Sequence, residues 1–309
     1  MPFEVTHAII DPSVKTVLRR AFANRHHLVS VIFHDGVEII EAEAFHNCRS
    51  LPSIKLLGVR EIGDNAFSSC VALSDVEFGG RLETIGKYAF QYCNSLRSIK
   101  SLSVRNIQER AFRHCWRLTD VEFGNNLETI GIESFSDCEH LKRIVLPLKD
   151  NLFPFDTDAA QYNQFKHCRG LKTVGFVGAE GMQNTISSLL LKSWRGEMNQ
   201  EIDRIKQELL LNSAYGDPKA DIIRRWIRSV IHKMEHYKAE HNRLLKEGMT
   251  LLELAIWKAK LDEKEDRSIG EGRAKKAKID TANARKEQRI TSGADIVIRN
   301  VVPFLQLAE

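Results

Sequence analysis

Residues 76–90, VEFGGRLETIGKYAF, return 45 positions later as residues 121–135, VEFGNNLETIGIESF. Between the copies, residues 99–112, IKSLSVRNIQERAF, match residues 54–67, IKLLGVREIGDNAF, at the same separation. Two alternating units of 22 and 23 residues therefore make one double unit. A repeat of this length signals a solenoid, in which no unit can bury its apolar face except against its neighbours.

Aligned on their aromatic position, the units place Phe22, Phe45, Phe67, Phe90, Phe112, Phe135 and Phe165 in one column, spaced 23, 22, 23, 22, 23 and 30 residues apart. Leu follows six residues after each Phe. Six units also carry Cys three residues after it: Cys48, Cys70, Cys93, Cys115, Cys138 and Cys168. These are all the cysteines of the chain, each alone in its unit, and no Cys-x-x-Cys occurs. A paired framework or zinc site needs cysteines that converge, whereas one per turn stacks into an internal column of small apolar fillers. Reduced, buried thiols are the expectation, with a redox or metal role as the alternative.

After each column Leu comes a short segment such as LSDVEF or LTDVEF, with apolar residues at its first and fourth positions, which reads as a strand with one face packed. A turn follows, then a second short extended piece, LETI, and an Ile-Gly pair whose glycine suits a bend needing positive φ. From there to Ala-Phe-x-x-Cys the spacing reads as a single helical turn. On the exposed strand face one outward position runs Lys55, Glu77, Lys100, Glu122 before breaking at Val145 and Gly175. A second runs Ser53, Asp75, Ser98, Asp120, Arg143. Opposite charges on adjacent strands point to cross-strand pairing worth a few tenths to about 1 kcal/mol per pair. The other reading is a charged partner surface made of Asp75, Glu77, Lys100, Asp120, Glu122 and Arg143.

The ends depart from the pattern. Residues 5–22 fit the unit with Asp11-Pro12 in the turn and Arg25 in place of Cys, as befits a cap with one side facing water. The last unit holds seven extra residues within 146–165, where Phe153, Pro154, Phe155 and Tyr162 favour packing onto the next domain over a binding loop.

The unit Ile-Gly-x-x-Ala-Phe-x-x-Cys-x-x-Leu, followed by Leu-x-x-Val-x-Phe, resembles the BspA-type leucine-rich repeat family over residues 5–178. Segments 186–194, 236–261 and 292–305 also resemble the tails of BspA-like proteins from unicellular algae. The resemblance implies a non-enzymatic interaction protein and supplies no catalytic, cofactor or metal residues.

A chain of 309 residues with 43% hydrophobic content can bury a sizeable core, and two domains are the natural expectation. Residues 192–309 carry 24 Lys and Arg against 19 Asp and Glu, while the first 191 carry 21 against 22, so only the C-terminal part is basic. The first ten residues lack a basic region followed by a long apolar run, no stretch of about 18 apolar residues occurs, and no Asn-x-Ser/Thr is present. A cytoplasmic or nuclear protein with no membrane span is the expectation.

Beyond residue 185 apolar residues recur at helical spacing. Asp217-Pro218 reads as a helix start, and Ile223, Ile227, Val230, Met234, Tyr237, His241 and Leu244 come after it at 4,3 spacing, a stripe able to pair two copies of the chain. Gly248 reads as an interruption, with Thr250 and Glu253 as the capping box of a third helix. His232, His236 and His241 do not share one helix face, which argues against a metal site. Residues 273–289 hold Arg273, Lys275, Lys276, Lys278, Arg285, Lys286 and Arg289 against Asp280 and Glu287. That pattern reads as a solvated linker, as a two-part import signal, or as a phosphate-contact segment.

The resulting expectation is an α+β chain. A right-handed leucine-rich-repeat solenoid of about seven units occupies residues 1–180, succeeded by a helical hairpin plus short helix (181–263), a basic disordered linker (264–291) and a docked apolar element (292–309). Its function is read as a protein-interaction scaffold needing no cofactor, the alternative being a nuclear nucleic-acid-associated protein that uses residues 273–289.

Overall fold

The computed structural model describes residues 4–157, 162–177, 197, 200, 204–205, 207–209 and 219–270. The chain divides into two compact units, Met1–Ala179 with Met198–Ile231, and Glu180–Glu197 with His232–Glu309.

The first six turns of this unit each contribute a longer strand and a short one, because their two alternating segments are separated by bends, and the last two longer strands have no short partner among the described residues. The longer strands are β1 (His7–Ile9), β3 (Ser30–Ile32), β5 (Ser53–Leu56), β7 (Asp75–Phe78), β9 (Ser98–Ser101), β11 (Asp120–Phe123), β13 (Arg143–Leu146) and β14 (Thr173–Phe176). The short ones are β2 (Thr16–Val17), β4 (Ile39–Ile40), β6 (Glu61–Ile62), β8 (Thr84–Ile85), β10 (Asn106–Ile107) and β12 (Thr129–Ile130). All pairings are parallel and in register by repeat position, with Val76 beside Ile54 and Val121 between Ile99 and Ile144. The short strands form one six-stranded ladder, so the unit is a parallel β-solenoid of about six turns. The long strands pair as β1–β3, β5–β7 and β9–β11–β13–β14.

The core lies between the two ladders. Seven phenylalanines stack through it, with consecutive centroids 4.8, 5.2, 5.2, 5.3, 5.2 and 5.7 Å apart. That spacing tracks the strand separation of about 4.8 Å, which forces identical side chains at one repeat position into contact. Burial contributes about 1.5–3 kcal/mol per ring and stacking about 0.5–1.5 more. All six cysteines are free and buried. Each thiol donates to the carbonyl of the preceding unit's column Phe, from Cys48 to Phe22 at 3.1 Å through Cys168 to Phe135 at 2.9 Å. In the first repeat Arg25 stands at the Cys position and donates to the Ala23 carbonyl at 2.7 Å.

Two local expectations are corrected. The segment through Ala-Phe-x-x-Cys is a pair of tight turns with a left-handed residue on either side of the Phe, such as Asn65 (φ 55°) and Ser69 (φ 64°), or Arg110 (φ 55°) and His114 (φ 60°). A helix would keep its hydrogen bonds within the segment. Here alternate N–H groups point to the next rung, Phe45 to Ala66 at 2.7 Å and Asn47 to Ser68 at 2.7 Å. The glycines of Ile-Gly are there for space instead of positive φ. A Cβ on Gly63 would stand 2.7 Å from the Ala42 nitrogen, and one on Gly86 2.7 Å from the Gly63 carbonyl carbon.

Residues 147–157 fold back on the solenoid. Leu152 and Phe153 are buried, the Ile130 N–H donates to the Leu152 carbonyl at 2.7 Å, and Phe153 meets Phe165 edge-on at 5.7 Å. The insertion thus supplies the rung that a short strand would have occupied.

One continuous helix, α1 (Lys219–Gly270), stands where an interruption at Gly248 was expected. A single helical Gly costs about 1 kcal/mol relative to Ala, and the Leu, Glu, Met and Lys residues around it favour helix. Gly248 is buried, and Thr250 donates its hydroxyl to the Lys246 carbonyl at 2.9 Å, the back-bond of a mid-helix Thr instead of a cap. Within the first unit α1 covers the last rung. Ile223, Trp226, Ile227 and Val230 are buried, and Trp226 packs on Phe176 with centroids 4.4 Å apart. Ile223, Ile227, Val230 and also Tyr237 are therefore covered within a single chain, and Met234 is half-buried, so the stripe expected to join two copies is not a free face. Residues 271–309, including the basic segment 273–289 and the apolar element 292–309, lie outside the described residues, as does most of 178–218.

Candidate partner-binding face

The longer strands alternate inward and outward, so parallel register brings the outward residues of neighbouring turns side by side. Lys55 lies opposite Glu77 and Lys100 opposite Glu122, with ion-pair distances of 2.8 and 3.1 Å. Asp120 is flanked by Ser98 and Arg143, the latter at 3.9 Å. Asp75 lies opposite Ser53. The six residues singled out in the sequence share one face, and five of them, all but Asp75, are engaged in rung-to-rung pairs. Glu77 holds the Lys55 ammonium above its ordinary range through their hydrogen bond. Exposed pairs of this kind are worth at most about 1 kcal/mol.

Between β7 and β9 the long-strand pairing is interrupted, and a shallow groove of about 630 Å³ opens there, lined by Asp75, Glu77, Phe78, Ser98, Lys100 and Ser101 among others. The Ser101 hydroxyl is buried beside it with no hydrogen-bond partner among the described residues.

Repeat alignment also holds a second alternating column that the strand-face reading missed. The residue preceding each short strand runs Lys15, Glu38, Arg60, Glu83, Arg105, Glu128. Arg105 and Glu128 pair at 2.6 Å. The left-handed positions form a third array, readable only once the turns are known. Arg20 and Arg19 clamp Glu43 at 2.7 and 3.0 Å and hold its carboxyl down to about 2, Arg20 having the larger effect. Arg110 bonds Glu133 at 2.8 Å and the Tyr88 hydroxyl at 2.6 Å, and both raise its guanidinium further above its ordinary range. Tyr92 stacks on His114 at 4.7 Å, with Trp116 edge-on to the same ring at 6.4 Å. His167 and Asp137 bond at 2.6 Å, and burial pushes the His114 imidazole down.

Among the described residues no group of three or more His, Cys, Asp or Glu is placed to hold a metal ion, and no helix is long and apolar enough to cross a membrane.

A stacked β-ladder with a Phe and Cys at fixed offsets is the architecture of a leucine-rich repeat protein. The family model for the BspA type leucine rich repeat region matches in six copies over residues 15–142 and 60–179, and the chain belongs to that family. Similar solved structures include a leucine-rich repeat protein from Eubacterium ventriosum, 25% identical with a TM-score of 0.42, over 45% of this chain and 38% of that one. The leucine rich repeat protein of T. pallidum is 31% identical with a TM-score of 0.41, over 48% and 68%. One from Bacteroides ovatus is 24% identical with a TM-score of 0.40, over 56% and 55%. The chain thus spans well under half the length of the E. ventriosum protein. No curated protein matches it.

Proposed function

We propose that the chain is a non-enzymatic protein-interaction scaffold whose long-strand face, centred on the groove between β7 and β9, receives a protein partner. The observation that carries this reading is the division of labour along each strand. Inward residues and backbone hydrogen bonds are used up in the stack, and the outward residues stand in rows on a rigid support, the arrangement by which solenoids present extended binding surfaces. The groove adds a place where Asp75, Glu77, Ser98 and Lys100 can turn from each other to a ligand. We place its site of action in the cytosol or nucleus, a reading supported by six thiols with no disulfide.

The test is cross-linking and affinity capture with the full chain and with a Glu77→Lys, Lys100→Glu variant, which reverses both signs beside the groove. Loss of the captured proteins is expected, with a melting temperature only slightly lowered, since two exposed ion pairs worth at most about 1 kcal/mol each become like-charge pairs. An identical set from both proteins would remove the assignment of this face.

A further inference from the structure

Internal pairing accounts for the strand-face charges singled out above except Asp75, but not for those on the segments that lead into the strands. There the Thr119 N–H donates to the Arg97 carbonyl at 2.8 Å, Lys142 to Thr119 at 2.8 Å, and Lys172 to Lys142 at 3.2 Å. These four residues occupy one position on four successive rungs, and Lys142 and Lys172 are direct neighbours about 4.8 Å apart in backbone spacing. Arg117 and Arg169 lie a few residues before Thr119 and Lys172 on the same rungs. All five cations are exposed and make no ion pair among the described residues, while Glu139 is the exposed carboxylate interposed among them. Like charges placed side by side in a sheet are destabilising. The columns of Lys55 and Lys15 alternate in sign from rung to rung, and this one does not. Trp116 sits in the same strip, 48% exposed, with the His140 imidazole on its carbonyl at 2.8 Å.

We propose that this strip binds an acidic segment of a protein partner, with Arg97, Arg117, Lys142, Arg169 and Lys172 receiving its carboxylates and Trp116 receiving an apolar side chain. The inference rests on the scaffold reading and names the partner's chemistry. Arg and Lys at adjacent rungs give an extended chain repeated carboxylate contacts, and a Trp beside them is the kind of anchor that dominates protein interfaces. Single-stranded nucleic acid fits less well. It calls for a row of free ring faces, but Tyr92 is stacked on His114, leaving Trp116 alone, and Asp120, Glu122 and Asp137 border the strip.

The experiment uses the full chain and a fluorescein-labelled peptide of alternating Glu and Ser with one central Phe, read by fluorescence anisotropy. A Lys-for-Glu peptide and an oligothymidine strand serve as comparisons. Expected are saturable binding of the Glu peptide, weakened about tenfold or more in a Lys142→Glu, Lys172→Glu variant and as salt rises, and a tryptophan fluorescence change absent in Trp116→Phe. The charge-reversed variant exchanges one like-charge pair for another and should melt close to the parent, which separates lost binding from lost folding. No binding of the Glu peptide, binding unaffected by the double substitution, or tighter binding of oligothymidine would each overturn the proposal. If the peptide fails while proteins cross-linked to the full chain are still lost on Glu77→Lys, Lys100→Glu, the scaffold reading stands and only the acidic partner falls.

Discussion

At the scale of single residues, the turns separate two demands that are easily confused. Gly63, Gly86 and Gly131 lie where the backbone of one rung nearly touches the next, so the missing Cβ matters and φ does not. The residues that do adopt positive φ include Arg20, Glu43, Tyr88 and Arg110. A left-handed L-residue costs about 1–2 kcal/mol, offset here by N–H groups aimed at the adjacent rung. Gly63→Ala should therefore lower unfolding free energy by about 1–3 kcal/mol through overpacking. Ser69→Gly should raise it by about 0.5–1 kcal/mol, since the left-handed penalty exceeds the entropy cost of Gly. Urea titrations of both variants decide this, and equal effects would mean the two positions are not distinct. The cysteine column makes a companion prediction. Burial pushes the thiols of Cys93, Cys138 and Cys168 up, which suppresses the reactive thiolate. A thiol reagent at a pH of about 8, near the ordinary thiol range, should count all the cysteines in denaturant and leave these three unreacted in the native protein. A lower count in denaturant would mean that disulfides form.

At the scale of the repeated element, the Phe stack is a row of interchangeable parts whose ends differ from its middle. Phe90 lies between Phe67 and Phe112, and Phe78 closes on its edge at 6.0 Å. Phe90→Ala should cost about 3–5 kcal/mol, and Phe22→Ala less, because among the described residues Phe22 stacks on Phe45 alone. Equal midpoint shifts in denaturant would contradict the stacking account. The Glu43 clamp gives the element a pH signature. Its carboxyl is held from 4.5 down to about 2, so the folded state favours the ionised form. The stability it contributes is full above about pH 4.5 and is lost as pH falls toward 2. Glu43→Gln should flatten that part of the stability profile, by an amount reduced by solvent screening of the exposed arginines. The same physics decides how much could be read from the chain beforehand. The 45-residue period fixes which Phe, Cys and Leu meet, because stacking converts period into contact. The turn conformation could not be read, since Arg, Glu and Tyr carry no local preference for positive φ and take it up only when a neighbouring rung offers carbonyls. The continuity of α1 through Gly248 likewise depends on surroundings that a local breaker signal ignores.

At the scale of the whole first unit, a solenoid has two ends whose backbone groups lack a next rung. At the N-terminal end Ile9 and Leu18 are exposed beside the edges of β1 and β2, which pair with no further strand among the described residues. At the other end α1 covers the last rung, and one polar residue joins its apolar face there. Lys219, at the start of α1 and wholly buried, donates its ammonium to the Cys168 carbonyl at 2.6 Å, with the Arg169 and Leu171 carbonyls at 3.4 Å. It adds a charged donor to carbonyls of the last turn, where the Cys168 carbonyl otherwise has the Leu171 N–H, the same own-turn bond that Leu141 gives Cys138. Two opposing terms decide what its removal does. Dehydrating an ammonium costs several kcal/mol, which favours an apolar replacement. Against this, hydrogen bonds to a charged group contribute about 1.5–3 kcal/mol each, and a buried carbonyl left without a donor costs about 1–3. The Cys168 carbonyl, with the shortest of the three contacts, keeps the Leu171 N–H at 3.1 Å, so the loss there is that of a second, charge-assisted bond. Lys219→Met is thus expected to lower the unfolding free energy by about 1–3 kcal/mol, while Trp226→Ala, which empties the contact with Phe176, should cost about 3–5. The check is chemical denaturation of both variants of the full chain with the m-value held free. A Lys219→Met protein as stable as the parent would show that dehydration of the ammonium outweighs its bonds, and that burial of Ile223, Trp226 and Ile227 alone closes the end.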